Sequence, residues 1–430
     1  MHGAPETIRE HTLRRARGLG DSTRPMIGLD LVRPLEADWR ATLDEIARLR
    51  HWPTSREPGA LADRVKALSD AYNDPRLARA STGPDNAARL GFFFPRDVPK
   101  TAGAVRELLT LGLLDRGGAL RLLDLGAGLG ASTWGIVRAL EASGAHGKVD
   151  ATWVDSDRQS LEVGTAIARG RQGMSSVALN VQTVVGALSD RSRLGSFDVI
   201  VASGLLSELD VGADVRDRVE RHAALLSNAI EHHLAPNGSL VVVEPALRDR
   251  TRHLHRVRDA LVSRGWSNFA PCLHASPCPA LERETDWCHE DLPVDLPSWL
   301  IPVARAAGLR YEGLTYAYIV VRRDRASVAD ALLGPSRATR VRVVSEPMRS
   351  KGKREAYLCG GFPSLVDAPS EMLGKRLRTD RLDRDRTDDN AAWEEIARGD
   401  ILVIDPPLTA TESRIARGTS IRALKSGNRR

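Results

Sequence analysis

Apolar residues recur at helical spacing through the first hundred positions, and then the period changes. Residues 39–50 (WRATLDEIARLR) and 61–72 each place apolar side chains on one helical face, separated by a link bearing Pro and Gly. GFFFPRDVPK (91–100) predicts an aromatic-rich turn leading into a further helix at 102–111. Aromatic runs beside basic residues are more often core plugs between domains than base-stacking platforms. From Arg121 onward strands alternate with helices. RLLDL (121–125), ATWVD (151–155), VALNVQTVV (177–185), FDVIVAS (197–203) and SLVVVEP (239–245) are strand-length apolar runs, with helices expected at 132–141, 159–168 and 214–233. That alternation predicts an α/β domain built on a parallel sheet covered on both faces.

After the fifth strand come an Arg- and His-rich helix (248–264), a Pro-rich loop, a helix at 297–307 and a strand at 317–322. RVRVVSEP through KREAYL (340–358) predicts a basic β-hairpin. The pattern divides the chain into a helical N-terminal region (1–100), an α/β domain (101–330) with an insertion at 270–293, a small basic β extension (331–370), and a charged, partly disordered tail (371–430).

Composition narrows the class. A chain of 430 residues has ample length for a real core. Its longest apolar runs are strand-sized, which predicts no membrane span. Arg9, Arg14, Arg15 and Arg17 lack an adjoining apolar stretch, so no secretory signal is expected, and Glu6, Glu10 and Asp21 argue against a mitochondrial transit peptide. The net charge of +6 is concentrated locally: residues 331–360 and 411–430 are rich in Arg and Lys. Clustered cations suit a polyphosphate partner, because each neutralised phosphate releases counterions. The hairpin at 340–354, the helix at 248–258 and the tail are the expected phosphate contacts; a solvated Arg-rich surface is the plainer alternative.

The glycine loop carries candidate chemistry. Asp124, Gly126, Gly128 and Gly130 sit between a strand and a helix, where glycine permits a sharp turn and close approach of a ligand to the backbone. The spacing is G-x-G-x-G rather than the G-x-G-x-x-G of dinucleotide folds. Asp124 is placed to face a cationic amine, and Asp155, ending the second strand, to accept ribose hydroxyls. Together they resemble the S-adenosylmethionine site of Rossmann-like methyltransferases, with NAD the lesser option. Glu208 and Glu244 lie near the same sheet edge, and neither stands out as a general base.

Thiols are the second candidate. Cys272, Cys278 and Cys288 fall in PCLHASPCPALERETDWCHED (271–291), with His274 and His289 among them, and Cys359 follows in YLCGG. Four cysteines in a chain of this type argue against a disulfide framework and for metal or nucleophilic chemistry. The Pro-Cys pairs follow the fifth strand and its helix, which weakens a cytosine-methylating nucleophile. Spacing alone points first to zinc held by four Cys, or by three Cys and a His.

Four segments together, APCLHASPCP…DWCH, LDLGAG, LVVVEP and YLCGG, resemble a known family over about residues 90–362: the ribosomal small-subunit methyltransferase-like assembly factors. These include yeast mitochondrial small-subunit protein twenty-two, animal methyltransferase-like protein seventeen and bacterial relatives. The resemblance implies a Rossmann-like class I methyltransferase domain binding S-adenosylmethionine at Asp124, Gly126, Gly128, Gly130 and Asp155. It also implies a 4Fe–4S cluster on Cys272, Cys278, Cys288 and Cys359, with zinc as the alternative, and a role on the small ribosomal subunit and its RNA. Leu273 and Ala275 depart from the family's usual loop without touching the thiols. The implied location is cytoplasmic for a bacterial-type chain and the mitochondrial matrix for eukaryotic relatives. Two rivals stay open: an active rRNA methyltransferase, and a small-molecule methyltransferase with a structural zinc.

Overall fold

The computed structural model describes residues 31–73, 85–114, 118–186, 194–333, 338–363, 372–409 and 413–424. The N-terminal arginines named above and the last six residues lie outside them. Two amphipathic helices lead: α1 (Ala37–Leu49) and α2 (Pro58–Asn73). Next, Asn86–Ala88 runs through a π-helical turn, Arg89–Phe93, into α3 (Phe94–Ala104). The expected aromatic turn is therefore helix. Asp85 caps its start by accepting from the Ala87 and Ala88 N–H groups at 3.0 Å each, and Phe92, Phe93 and Phe94 are buried as a core plug.

Strands β1 (Ala119–Leu125), β2 (Gly147–Asp155), β3 (Val177–Val185) and β4 (Phe197–Ser203) follow, with α4 (Ala131–Ala142) and α5 (Arg158–Gly170) between them. Helix α6 (Val215–His233), β5 (Leu234–Glu244) and α7 (Arg248–Ser263) lead to the short strands β6 (Ser267–Ala270) and β7 (Glu290–Leu292), and then to β8 (Leu314–Arg322). The sheet order is β3-β2-β1-β4-β5-β8-β6. The first five strands are parallel, but β8 is antiparallel to β5, β6 and β7. The five parallel strands bear out the expected α/β sheet, and β8 joins its edge in the opposite direction. Strand β6 leaves a one-strand gap beside β5, and the returning chain fills it in the opposite direction.

Burial on both faces explains why the strand runs are apolar without interruption. Leu122, Val149, Val199 and Val241 join α1–α5 on one side, and Leu123, Val154, Ile200 and Val242 join α6 and α7 on the other. A Cβ on Gly135 would lie 2.5 Å from the Val98 carbonyl oxygen, so α3 and α4 cross in near-backbone contact.

Residues expected as hairpin and tail form a second unit. Strands β9 (Thr339–Val343), β10 (Met348–Ser350), β11 (Lys353–Pro363), β12 (Met372–Leu382), β13 (Ile401–Asp405), β14 (Arg414–Ile415) and β15 (Ser420–Leu424) make one sheet, in the order β14-β12-β11-β9-β13-β15. Its core contains Val341, Leu358, Phe362, Trp393, Ile404 and Ile421. The charged look of 371–400 misleads because Arg381, fully buried, donates to Asn390 at 3.0 Å and pairs with Glu394. No helix among the described residues is long and apolar enough to cross a membrane.

Candidate functional site

The glycine loop follows β1. Gly126, Gly128 and Gly130 have φ of +70°, +51° and +81°, a left-handed conformation that side chains other than glycine rarely adopt. Their surroundings separate them. A Cβ on Gly130 would lie 2.3 Å from the Trp153 ring, and one on Gly126 would lie 2.8 Å from Leu205, whereas Gly128 faces open space. Gly130 thus lets α4 sit on the sheet, while Gly128 leaves backbone accessible to a ligand.

Both expected carboxylates lie against this loop. Asp155 Oδ2 accepts from the Gly128 N–H at 2.8 Å, and its Oδ1 accepts from the Asp157 N–H at 2.8 Å. Asp124 is fully buried, with Oδ2 accepting from the Ser132 and Thr133 hydroxyls at 2.7 Å each. Burial pushes its carboxyl up to about 6 against those bonds. At the ends of β4 and β5, Glu244 accepts from the Leu206 N–H at 2.9 Å and from the Ser207 hydroxyl. Burial pushes Glu244 up to about 7. Glu208 is half-exposed and pairs with Arg89 at 3.5 Å.

The four cysteines come together from both units. Cys272, Cys278 and Cys288 on the insertion and Cys359 on β11 line one cavity, with His274, His289, Arg376 and Arg398 beside them. Burial, reinforced by the neighbouring thiols, pushes Cys278 and Cys359 well up and Cys288 to about 11. His274 Nε2 lies 3.8 Å from Cys359 Sγ. Among the described residues no three His, Cys, Asp or Glu side chains form a ready single-ion site. The donor set nevertheless suits a group needing several thiolates. Four thiols share one lining, and the Arg376 and Arg398 guanidinium groups favour the ionised form of Cys288.

Helix α7 builds this loop, and the sequence reading missed its role. Arg252, His255 and Asp259, at i, i+3 and i+7, share one helical face with Arg258. Arg252 donates to the carbonyls of Ala280 at 2.9 Å, Arg283 at 2.6 Å and Asp286 at 2.7 Å. His255 Nε2 meets the Cys288 carbonyl at 2.9 Å, and Arg258 donates to the His274 and Ser276 carbonyls. Asp259 accepts from the Cys278 N–H at 3.0 Å. The expectation of α7 as a phosphate contact is therefore corrected for Arg252 and Arg258, which are 8% and 1% exposed and spent on loop carbonyls. Arg342, 4% exposed, is likewise removed from that role: it donates to the Pro271 carbonyl at 2.8 Å and to Glu107 at 3.1 Å.

From the second sheet, Gly374 on β12 completes the seat. A Cβ there would lie 2.3 Å from His274 Nδ1, and its N–H donates to Ser276 Oγ at 3.0 Å. Arg398 donates to the His289 carbonyl.

No curated protein matches the chain significantly. Solved structures resemble the chain remotely. A putative class I S-adenosylmethionine-dependent methyltransferase from Listeria monocytogenes is 12% identical, covering 68% of this chain and 88% of that one at a TM-score of 0.36. A putative RNA methyltransferase from Pyrococcus horikoshii is 15% identical over 51% and 82%, at 0.30. Precorrin-6y C5,15-methyltransferase from Geobacter metallireducens is 15% identical over 50% and 86%, at 0.29. The fold is carried by the strand order β3-β2-β1-β4-β5-β8-β6. A family match reaches further: residues 119–367, more than half of the chain, match the family described as mitochondrial small ribosomal subunit Rsm22. That span runs from β1 through the whole cysteine insertion to Cys359 on β11, and the chain belongs to the Rsm22 family.

Proposed function

We propose that this protein is an S-adenosylmethionine-binding, 4Fe–4S-containing member of its family that acts on the small ribosomal subunit by binding ribosomal RNA. One observation carries the reading: four cysteines, three from the insertion and one from the second sheet, line a single cavity. Thiols pushed up by burial are costly to ionise unless a cationic group takes them as ligands. Cys272, Cys278, Cys288 and Cys359 would hold the cluster, which would supply a four-thiolate cross-link between the insertion and the second sheet. Arg376 and Arg398 favour the thiolate form of Cys288, and the α7 clamp fixes the loop carbonyls, so that three of the thiols are pre-positioned.

At the sheet edge, Asp155 and the backbone at Gly128 are arranged to receive a nucleoside. Gly126 shapes the turn, Gly130 seats α4, and Asp124 ties the loop to the helix through Ser132 and Thr133. S-adenosylmethionine would supply the adenosine and sulfonium held there. The small-subunit role is supported by the family match.

Anaerobic purification with iron, sulfide and zinc analysis tests this directly. Iron and sulfide in near-equal amounts, lost together with small-subunit cosedimentation in Cys278→Ser, are expected. Zinc in place of iron would overturn the cluster, and normal subunit binding by the metal-free variant would overturn its structural role.

A further inference from the structure

The second unit closes on itself. Strand β12 carries β14 on one edge and β13 carries β15 on the other, and only residues 416–419 separate β14 from β15. The two edges are thus successive parts of one fifth strand, and the sheet is a five-stranded barrel. Its connections are specific. β9, β11 and β12 form an antiparallel meander, β13 returns antiparallel to β9, and the fifth strand runs parallel to β12 and antiparallel to β13. A short helix, Ala391–Glu395, lies between the third and fourth strands, and its buried Trp393 donates to the Arg354 carbonyl at 3.2 Å. This is the topology of an OB-fold, whose second and third strands and flanking loops commonly bind oligonucleotides.

The corresponding face here is formed by β11 and β12. Ala356, Leu358 and Phe362 point into the barrel, fully buried, so the alternate residues point outward. One end of the outer face, at Cys359 and Gly374, is occupied by the cysteine loop. The other end pairs Tyr357 with Arg378 across the strands, and Glu355 with Asp380. The half-buried Tyr357 ring has the Arg376 guanidinium 5.0 Å from its centroid. Arg378, Lys353 and Arg414 are partly exposed around it. Glu355 and Asp380 hold these cations in place, with Arg378 2.6 Å from Glu355 and Arg414 2.9 Å from Asp380. The hairpin at the strand's start adds Arg349 and Lys351, both exposed. An aromatic ring in a strip where cations outnumber carboxylates suits a strand of unpaired bases, which offers π-faces and phosphates together.

We infer that the outer face of β11 and β12 around Tyr357, Arg378 and Lys353 is a binding surface for single-stranded RNA. The inference rests on the RNA-binding reading above and names the element and the kind of RNA. Most of this barrel lies beyond the family match, which ends at residue 367.

Full-length protein with its metal centre is titrated by fluorescence anisotropy against a labelled RNA strand of about twelve nucleotides, and against the same strand in a duplex. Tighter binding of the single strand is expected. Tyr357→Ala should weaken it about tenfold and Tyr357→Phe should restore it, as stacking requires. Arg378→Ala, at an exposed position, should weaken binding and lessen its salt dependence. Equal affinity for duplex, no binding of the strand, or unchanged affinity in both Tyr357→Ala and Arg378→Ala would overturn the surface. Subunit cosedimentation of the same proteins separates the two readings. Subunit binding without single-strand binding defeats this surface alone, while strand binding without subunit association defeats the small-subunit role alone.

Discussion

Arg342 Nη1 and Glu107 Oε1 meet at 3.1 Å between the barrel and the α/β domain, each residue 4% exposed. Around them Tyr318 donates to Glu107 at 3.3 Å, and Arg106 donates to Glu290 at 2.7 Å. The same Arg342 holds the Pro271 carbonyl one residue before Cys272. Removing Arg342 leaves the buried Glu107 carboxylate with Arg106, at 3.4 Å, in place of two guanidinium partners. Arg342→Met should therefore cost about 3–5 kcal/mol, read by urea denaturation. The double variant with Glu107→Gln should recover part of that loss; additive losses would show that the pair is not coupled.

Gly128 and Gly130 should separate ligand binding from folding. Gly130→Ala combines a strained φ with a Cβ 2.3 Å from Trp153, and should cost about 2–4 kcal/mol by thermal denaturation. Gly128→Ala meets open space, so only the backbone strain of about 1–2 kcal/mol remains. Calorimetry should show Gly128→Ala losing S-adenosylmethionine affinity while staying folded. Undiminished affinity would remove Gly128 from the ligand's path.

Glu244 makes a pH prediction. Its folded carboxyl is raised to about 7 by burial, above the ordinary value of 4.5. Below pH 4.5 the folded and unfolded chains are both protonated there, and the group has no effect. As pH rises toward 7 the unfolded chain ionises first, so stability falls, and above 7 the deficit is constant at about 3 kcal/mol or less. Glu244→Gln should therefore be more stable than the parent at pH 8, with the difference shrinking at pH 5. A gap independent of pH would assign the effect to packing.

Arg258 should govern how firmly the cysteine loop holds the proposed metal. Arg258→Met removes the donors to the His274 and Ser276 carbonyls while keeping the stem's bulk. Metal should be lost to a chelator about tenfold faster, as for other residues that orient metal ligands. Retention equal to the parent would show that the Asp259 contact to Cys278 suffices.

The α/β unit was legible because buried strands leave uninterrupted apolar runs and the glycine loop has a fixed place between strand and helix. Convergence of Cys359 with the other three thiols followed from their grouping, although spacing left the metal open. The barrel was not legible. In KRLRTDRL on β12, Arg378 is exposed but Arg381 is buried against Asn390 and Glu394, and periodicity of charge cannot distinguish the two. Arg252 and Arg258 hid for the same reason. A guanidinium that satisfies loop carbonyls looks in sequence like one that faces water.

Three of the thiols precede the strand that bears the fourth, and β12 to β15 follow it. During synthesis the chain passes through a stage in which Cys272, Cys278 and Cys288 already exist while Cys359 has no closed barrel to hold it in register. Completion of the four-thiol cavity is thus tied to the last strands made, so a metal held there would mark a chain whose C-terminal half has finished folding.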